Sequence, residues 1–364
     1  LEGGIGAITT ASGQAALHLA IATLMGAGSH IVASSALYGG SHNLLHYTLS
    51  RFGIRTTFVK PGDLDAWRAA VQPDTKLFFG ETVGNPGMDV LDLPAVSQIA
   101  HAAGVPLLVD AALTSPWLMK PFEHGADLIV HSATKFLSGH GTVIGGLVVD
   151  GGSFDWSGPN TQGKFAELTQ AYEGFHNMVF TEESTVGAFL LRARREGLRD
   201  FGACMSPHTA WLILQGIETL PLRMERHCRN ALAVARHLQN HPKVSWVHYP
   251  GLPDHPQHDL VKKQMRSVDG VPGGSGLLVF GVKGGLPAGV RFIESARFMS
   301  HLANIGDTRT LIIHPASTTH RQLTEEQQIA AGVPPDLIRL SVGLETLDDI
   351  LWDIDQALTV ATAT

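Results

Sequence analysis

Residues 131–146 read HSATKFLSGHGTVIGG and place Lys135 between two apolar runs, ADLIV before it and VIGGLVV after it. An ammonium group is costly to take out of water, so lysine is rarely buried in full. The plain reading is a loop lysine whose stem lies on apolar surface while its head reaches solvent. Two features point elsewhere. Ser132 and Thr134 set hydroxyls beside Lys135 at the end of an apolar run. In open α/β sheets, ligands bind at the carboxyl ends of strands. An uncharged lysine amine can condense with a carbonyl, and burial lowers its pKa toward that state.

That reading needs the flanking runs to be sheet strands, and the upstream pattern agrees. Residues 13–25 have helical spacing, and HIVASS, RTTFVK, TKLFFGET and VPLLVDA are strand candidates. LPAVSQIAHAAG predicts an amphipathic helix closed by Gly104, and DLIVHS and TVIGGLVVD predict the strands around Lys135. Strands alternating with helices imply an α/β fold with a mostly parallel sheet. Residues 151–180 are polar, aromatic and irregular, as in a long excursion near a site. A long helical pattern spans about 205–240. WVHYP, GSGLLVFGV, RFIESARFMSHL and strand-like segments near 310–314 and 337–342 follow it. The second half reads as a smaller α+β domain. The expected division is residues 1–222 for a large domain and 223–364 for a C-terminal one.

Bulk properties bound the function. The 364 residues are 44% hydrophobic and 16% charged, which suits a well-packed globule. Net charge is −7 with no basic block, which disfavours nucleic acid as a partner. Two cysteines, Cys204 and Cys228, lack metal-site spacing and fit a reducing cytoplasm. No apolar run reaches the ~18 residues of a membrane span. The run AALHLAIATLMGAG is short, carries His18 and lacks a charged leader segment. The opening residues LEGGIGAITTASGQ contain no Met and read as domain interior, so the polypeptide is expected to begin upstream.

Other residues stand where chemistry could occur. Asp110 closes the run VPLLVD, where a carboxylate caps a helix or serves a site. Ser12, Gly13 and Gln14 precede a helical pattern, where a serine cap and exposed N–H groups for a phosphate are both readable. Tyr38 follows a strand and either packs or stacks on a planar ligand. Arg339 lies in an apolar strand and calls for an anion, a substrate carboxylate or a structural Asp or Glu. Competing motifs fail. There is no HExxH, and His314 and His320 lack a familiar ligand spacing. GGSGL has Leu277 where GxSxG needs glycine, and neither a P-loop nor a strand-linked GxGxxG occurs. No metal is expected.

Together HSATKFLSGHGTVIGG, LVDAALTSP, SSALYGGSHNLL, ETVGNPGMDVLD, LRMERHCRNALAVARHL, HYPGL, NIGDTRTLIIHPASTTH and IRLSVGLE resemble the Cys/Met-metabolism enzymes dependent on pyridoxal 5′-phosphate. The resemblance covers essentially the whole chain in order. Within the family it is closest to the O-acetylhomoserine sulfhydrylase branch. It implies the fold-type I architecture of pyridoxal-phosphate-dependent transferases. It also implies γ-replacement of O-acetyl-L-homoserine by sulfide, giving L-homocysteine and acetate, in a cytoplasmic homodimer or homotetramer. Methionine γ-lyase and cystathionine γ-synthase are the related alternatives, and a truncated chain with little catalysis is another.

The resemblance also implies site roles. Lys135 matches the lysine that carries the cofactor, and Asp110 the carboxylate facing its ring nitrogen. Tyr38 matches the stacking tyrosine, a candidate in proton transfer with Lys135. Ser12, Gly13, Gln14, Ser132 and Thr134 match the phosphate cup, and Asn85 the asparagine near the ring hydroxyl. Arg339 matches the arginine for the substrate α-carboxylate, with Asn304 beside it where relatives often have serine. Two departures stand out. Ala111-Ala112-Leu113 follow Asp110 where relatives have Asn-Thr-Phe or similar. The family's N-terminal segment, which brings a tyrosine and an arginine to a neighbouring subunit's phosphate, has no counterpart in this sequence.

Overall fold

The structure is a computed structural model and describes residues 1–319, 321–322, 324–330 and 332–363. His320, one end of the His314–His320 spacing, lies outside the described residues. The chain forms two compact units. The first holds residues 1–83, 91–134 and 143–214, and the second holds 84–90, 135–142 and 215–364.

The first unit is built on seven strands. They are β1 (Gly6–Thr10), β2 (His30–Ser34), β3 (Arg55–Val59), β4 (Thr75–Glu81), β5 (Leu107–Asp110), β6 (Leu128–Ser132) and β7 (Gly146–Asp150). Their order is β1-β7-β6-β5-β4-β2-β3. The run from β3 to β6 is parallel, while β7 pairs antiparallel with β6 and β1 antiparallel with β7. The mostly parallel sheet is therefore as expected, with an antiparallel margin. The central strands are apolar on both faces. Ile31, Val32, Phe78, Phe79, Leu108, Val109, Ile129 and Val130 are all buried.

Helix α1 (Gly13–Leu24) starts at Ser12, whose hydroxyl accepts the Ala15 N–H at 3.1 Å. It buries Ala16, Leu17, Ala20, Ile21 and Leu24. Each leucine or isoleucine so buried stabilises by about 1.5–3 kcal/mol. Helix α2 (Gly39–Asn43) is short and follows Tyr38. Helix α3 (Leu93–Ala102) is capped by Asp92, and the chain turns out of it at Gly104 with φ of 69°.

One predicted strand is shorter than its apolar run. TVIGGLVVD is extended only from Gly146, and Ile144 is 66% exposed. The cause lies in Thr134, which exchanges hydrogen bonds with Gly145 and holds it out of the ladder.

The second unit carries β8 (Val244–His248), a small hairpin of β9 (Ser267–Val268) and β10 (Val271–Pro272), β11 (Leu277–Val282), β12 (Ser300–His301), β13 (Leu311–Ile313) and β14 (Leu337–Ser341). Five of these form a sheet in the order β12-β13-β14-β11-β8, antiparallel except for β12 with β13. The predicted helix over 205–240 is two helices, α4 (Pro207–Glu218) and α5 (Leu220–Gln239). Pro221 explains the break, because it is tolerated in the first turn of a helix and not inside one. Helices α5, α6 (Gly285–Ser295) and α7 (Leu347–Ala361) supply the core with Val234, Leu238, Phe292, Ile350 and Ile354, against Leu278, Phe280, Ile338 and Leu340 of the sheet. Among the described residues no helix is long and apolar enough to cross a membrane.

Candidate active site

In the first unit, the predicted residues gather at the carboxyl ends of parallel strands. Asp110 ends β5, and Ser132 ends β6. The carboxylate of Asp110 accepts the Ala112 N–H at 2.9 Å, so it also caps its own turn. Gly13 lies against Ser132, and a Cβ on Gly13 would stand 2.6 Å from the Ser132 Cβ. The amino end of α1 is thus pressed onto the end of β6. The N–H groups of its first turn have no carbonyl one turn back, and they leave a positive helix end there. Gln14 Nε2 donates to Gly40 O at 2.8 Å and ties this helix end to the loop of Tyr38. Tyr38 itself is 54% exposed. Ser12 and Ser132 are half-buried, while the Thr134 hydroxyl is engaged by Gly145.

One residue at this end escaped the sequence reading. Glu81 ends β4 directly opposite Asp110, the two being register partners across the β4–β5 pair. It is buried, and its Oε1 accepts the Tyr38 N–H at 2.6 Å. Burial, and then the negative charge of Asp110, push the Glu81 carboxyl well above the usual carboxylate range, against the pull of the Tyr38 N–H. The sequence signal was present. TKLFFGE and VPLLVD are adjacent apolar runs that each end in an acid.

Ala111 is buried with Ile129 and Val149, and Leu113 is buried as well. The Ala-Ala-Leu departure therefore serves apolar packing behind the strand end.

The second unit holds the other four predicted residues as one cluster. Lys135 opens the 135–142 segment of this unit. Lys135 is half-buried, and its Nζ donates to Asn304 Oδ1 at 2.5 Å. Arg339 sits in the middle of β14, flanked by Val279 of β11 and Ile313 of β13. Its Nη1 donates to Asn85 Oδ1 and its Nη2 to the Asn304 carbonyl, both at 3.3 Å. Asn304 therefore touches both cations, and Asn85, 254 residues from Arg339 in sequence, is buried beside it. An amine, a guanidinium and two amides in one place suit an α-amino acid, whose carboxylate needs a fork of donors.

Comparison with known proteins agrees with this chemistry. Residues 1–359 match the family model described as Cys/Met metabolism PLP-dependent enzyme. The O-acetyl-L-homoserine sulfhydrylase of Leptospira meyeri is 51% identical, over 98% of this chain and 81% of its own length. The homocysteine synthase of Schizosaccharomyces pombe is 47% identical, over 99% and 83%. Among solved structures, a putative O-acetylhomoserine (thiol)-lyase from Campylobacter jejuni, containing a pyridoxyl-lysine monophosphate, superposes with a TM-score of 0.93. It is 36% identical and is matched over 98% of this chain and 83% of its own.

Groups within each unit suit parts of pyridoxal phosphate. A phosphate suits the glycine-opened amino end of α1. A pyridinium N–H suits the Asp110 carboxylate at the end of β5. An aldehyde suits the Lys135 amine.

Proposed function

Because the chain belongs to the Cys/Met metabolism enzymes dependent on pyridoxal phosphate, we propose that it exchanges the γ-substituent of O-acetyl-L-homoserine for sulfide, releasing L-homocysteine and acetate. The observation that carries this reading is the Lys135–Asn304–Arg339 cluster, which offers an amine and a guanidinium to one amino acid. When bound, the cofactor supplies an aldehyde for the substrate amine and a ring that accepts electrons from the substrate carbons.

The chain supplies the rest. Arg339 holds the α-carboxylate, with Asn304 fixing the guanidinium from its carbonyl side. The Lys135 amine takes the Cα proton, and Asn304 Oδ1 orients that amine. Asp110 would hold the cofactor's ring nitrogen in its protonated form. Burial and the neighbouring Asp110 raise the Glu81 carboxyl, which favours the negative charge on Asp110. Tyr38 would stack on the cofactor ring and share in proton transfer with Lys135. Ser12, Gly13, Gln14, Ser132 and Thr134 would form the phosphate cup, and Asn85 would serve the ring hydroxyl. Acetate leaves Cγ and sulfide takes its place.

The same reading takes the working form as a cytoplasmic homo-oligomer, a dimer or tetramer. Trp211 and Leu214, both more than half exposed on α4, are surface that a second copy would cover. Sedimentation of the purified chain reads this state. For the reaction itself, the chain is incubated with pyridoxal phosphate, O-acetylhomoserine and sulfide. Homocysteine is the expected product, and release of α-ketobutyrate in its place would overturn the assignment.

A further inference from the structure

Arg223, His227 and Asn230 lie on one face of α5, at the spacing i, i+4 and i+7, and all three are buried. The Arg223 guanidinium is enclosed by carbonyls. Nη1 donates to Phe136 O at 2.7 Å, and Nη2 to Gly216 O at 2.6 Å and Leu137 O at 3.3 Å. Nε donates to Thr219 Oγ1 at 3.1 Å. Burial lowers its pKa to about 10, which leaves it charged at neutral pH. A buried cation is a poor device for stability alone, because an apolar side chain of similar volume often serves as well or better. Two of its acceptors are the residues that directly follow Lys135.

The packing around this contact leaves no slack. A Cβ on Gly139 would stand 2.2 Å from Arg223 Nη1, and one on Gly216 would stand 2.2 Å from the Ser138 carbonyl. One turn along α5, the His227 ring meets Phe136 edge-on at 5.1 Å. Its Nδ1 donates to Val342 O at 2.7 Å, and burial lowers its pKa to about 4, so the ring is neutral. Asn230 Nδ2 donates to Gly343 O at 3.0 Å and Glu345 O at 3.1 Å. Val342 and Gly343 continue directly from β14, the strand of Arg339.

We propose that this face of α5 is a positioning element: it clamps the turn after Lys135 with Arg223 and the exit of the Arg339 strand with His227 and Asn230, and so sets the amine against the guanidinium. The proposal rests on the roles given above to Lys135 and Arg339. A helix backbone is rigid on this scale, so the two groups cannot drift apart independently. Small misplacements at a reacting centre are costly in rate.

The test pairs Arg223→Lys with Leu238→Ala, a core truncation on the same helix, in the full chain. Arg223→Lys keeps the charge and loses the fork. It should lower kcat at least tenfold with KM for O-acetylhomoserine changed less than threefold. In the cofactor-free chain it should speed amide exchange in residues 135–142 while exchange in α6 and α7 stays the same. Leu238→Ala should lower the melting temperature and leave kcat within threefold. An Arg223→Lys chain with kcat within twofold of the unaltered one overturns the proposal, as does an equal loss of kcat in Leu238→Ala. Exchange in the unaltered chain is a check that needs no variant. The Gly139 amide, which donates to Lys135 O at 2.8 Å across the clamped turn, should exchange as slowly as those of α5, and exchange orders of magnitude faster would also overturn it. If the sulfhydrylase reading itself fails, the unaltered chain is inactive, and the exchange data still report on the clamp.

Discussion

Glu81 and Asp110 face each other as register partners at the carboxyl ends of β4 and β5, and the buried one, Glu81, also accepts the backbone N–H of Tyr38. Two carboxylates so placed do not both ionise readily. The arrangement raises the Glu81 carboxyl and joins the Tyr38 loop to the strand end that carries Asp110.

This shift makes stability depend on pH in a defined direction. The folded pKa of Glu81 lies above its ordinary value of 4.5. Its contribution is therefore complete below about pH 4.5 and is lost as pH rises toward the folded pKa. Glu81→Gln keeps an acceptor for Tyr38 and removes the titration. The melting temperature of Glu81→Gln, measured against the unaltered chain from pH 5 to pH 8, should gain steadily with pH. A difference that stays constant over that range would show that Glu81 is ionised in the folded chain.

Lys135→Ala removes the amine that Asn304 orients. With pyridoxal phosphate added, the absorbance band of lysine-bound cofactor should disappear. Turnover should fall by about 10²–10⁴-fold or more, the scale of a lost acid–base group. Turnover equal to the unaltered chain would remove Lys135 from the mechanism.

Arg339→Lys keeps the charge in β14 and loses the two-pronged donor. A charge-assisted hydrogen bond contributes about 1.5–3 kcal/mol, so kcat/KM for O-acetylhomoserine should drop roughly 10- to 100-fold. Most of the loss should appear in KM if Arg339 binds the carboxylate equally in the ground and transition states. Unchanged KM and kcat for the variant would place the substrate carboxylate elsewhere.

Much of this architecture was readable before the structure, for physical reasons. The apolar runs of β2, β4, β5 and β6 are continuous because both faces are buried, and strand periodicity needs little else. The residue types at strand ends also stood out, Asp110 and Ser132 among them. Long-range partners did not. Nothing local in ETVGNPGMDVLD says that Asn85 meets Arg339, and nothing in LRMERHC says that Arg223 meets the carbonyls beyond Lys135. The segments 84–90 and 135–142 belong to the second unit while their flanks belong to the first, a feature without periodicity of its own. The apolar character of Val143 and Ile144 predicted extended sheet, yet the Thr134–Gly145 hydrogen bonds outweigh it.

Gly13 gives the sharpest test of the phosphate cup. Its missing side chain lets α1 approach β6 until a Cβ would stand 2.6 Å from the Ser132 Cβ, against about 3.5–4.0 Å for carbons in ordinary contact. Gly13→Ala must push the helix end and the strand end apart. Overpacking of this kind costs about 1–3 kcal/mol, partly offset by the better helix propensity of alanine, about 1 kcal/mol. Ser12→Ala is the matched comparison, since it removes the cap to Ala15 for about 1 kcal/mol and leaves the close contact intact. Both variants should melt lower than the unaltered chain. The rise in melting temperature on adding pyridoxal phosphate should shrink most in Gly13→Ala, because the N–H groups meant for the phosphate have moved. A cofactor-dependent rise in Gly13→Ala equal to that of the unaltered chain would mean that the phosphate binds away from the amino end of α1.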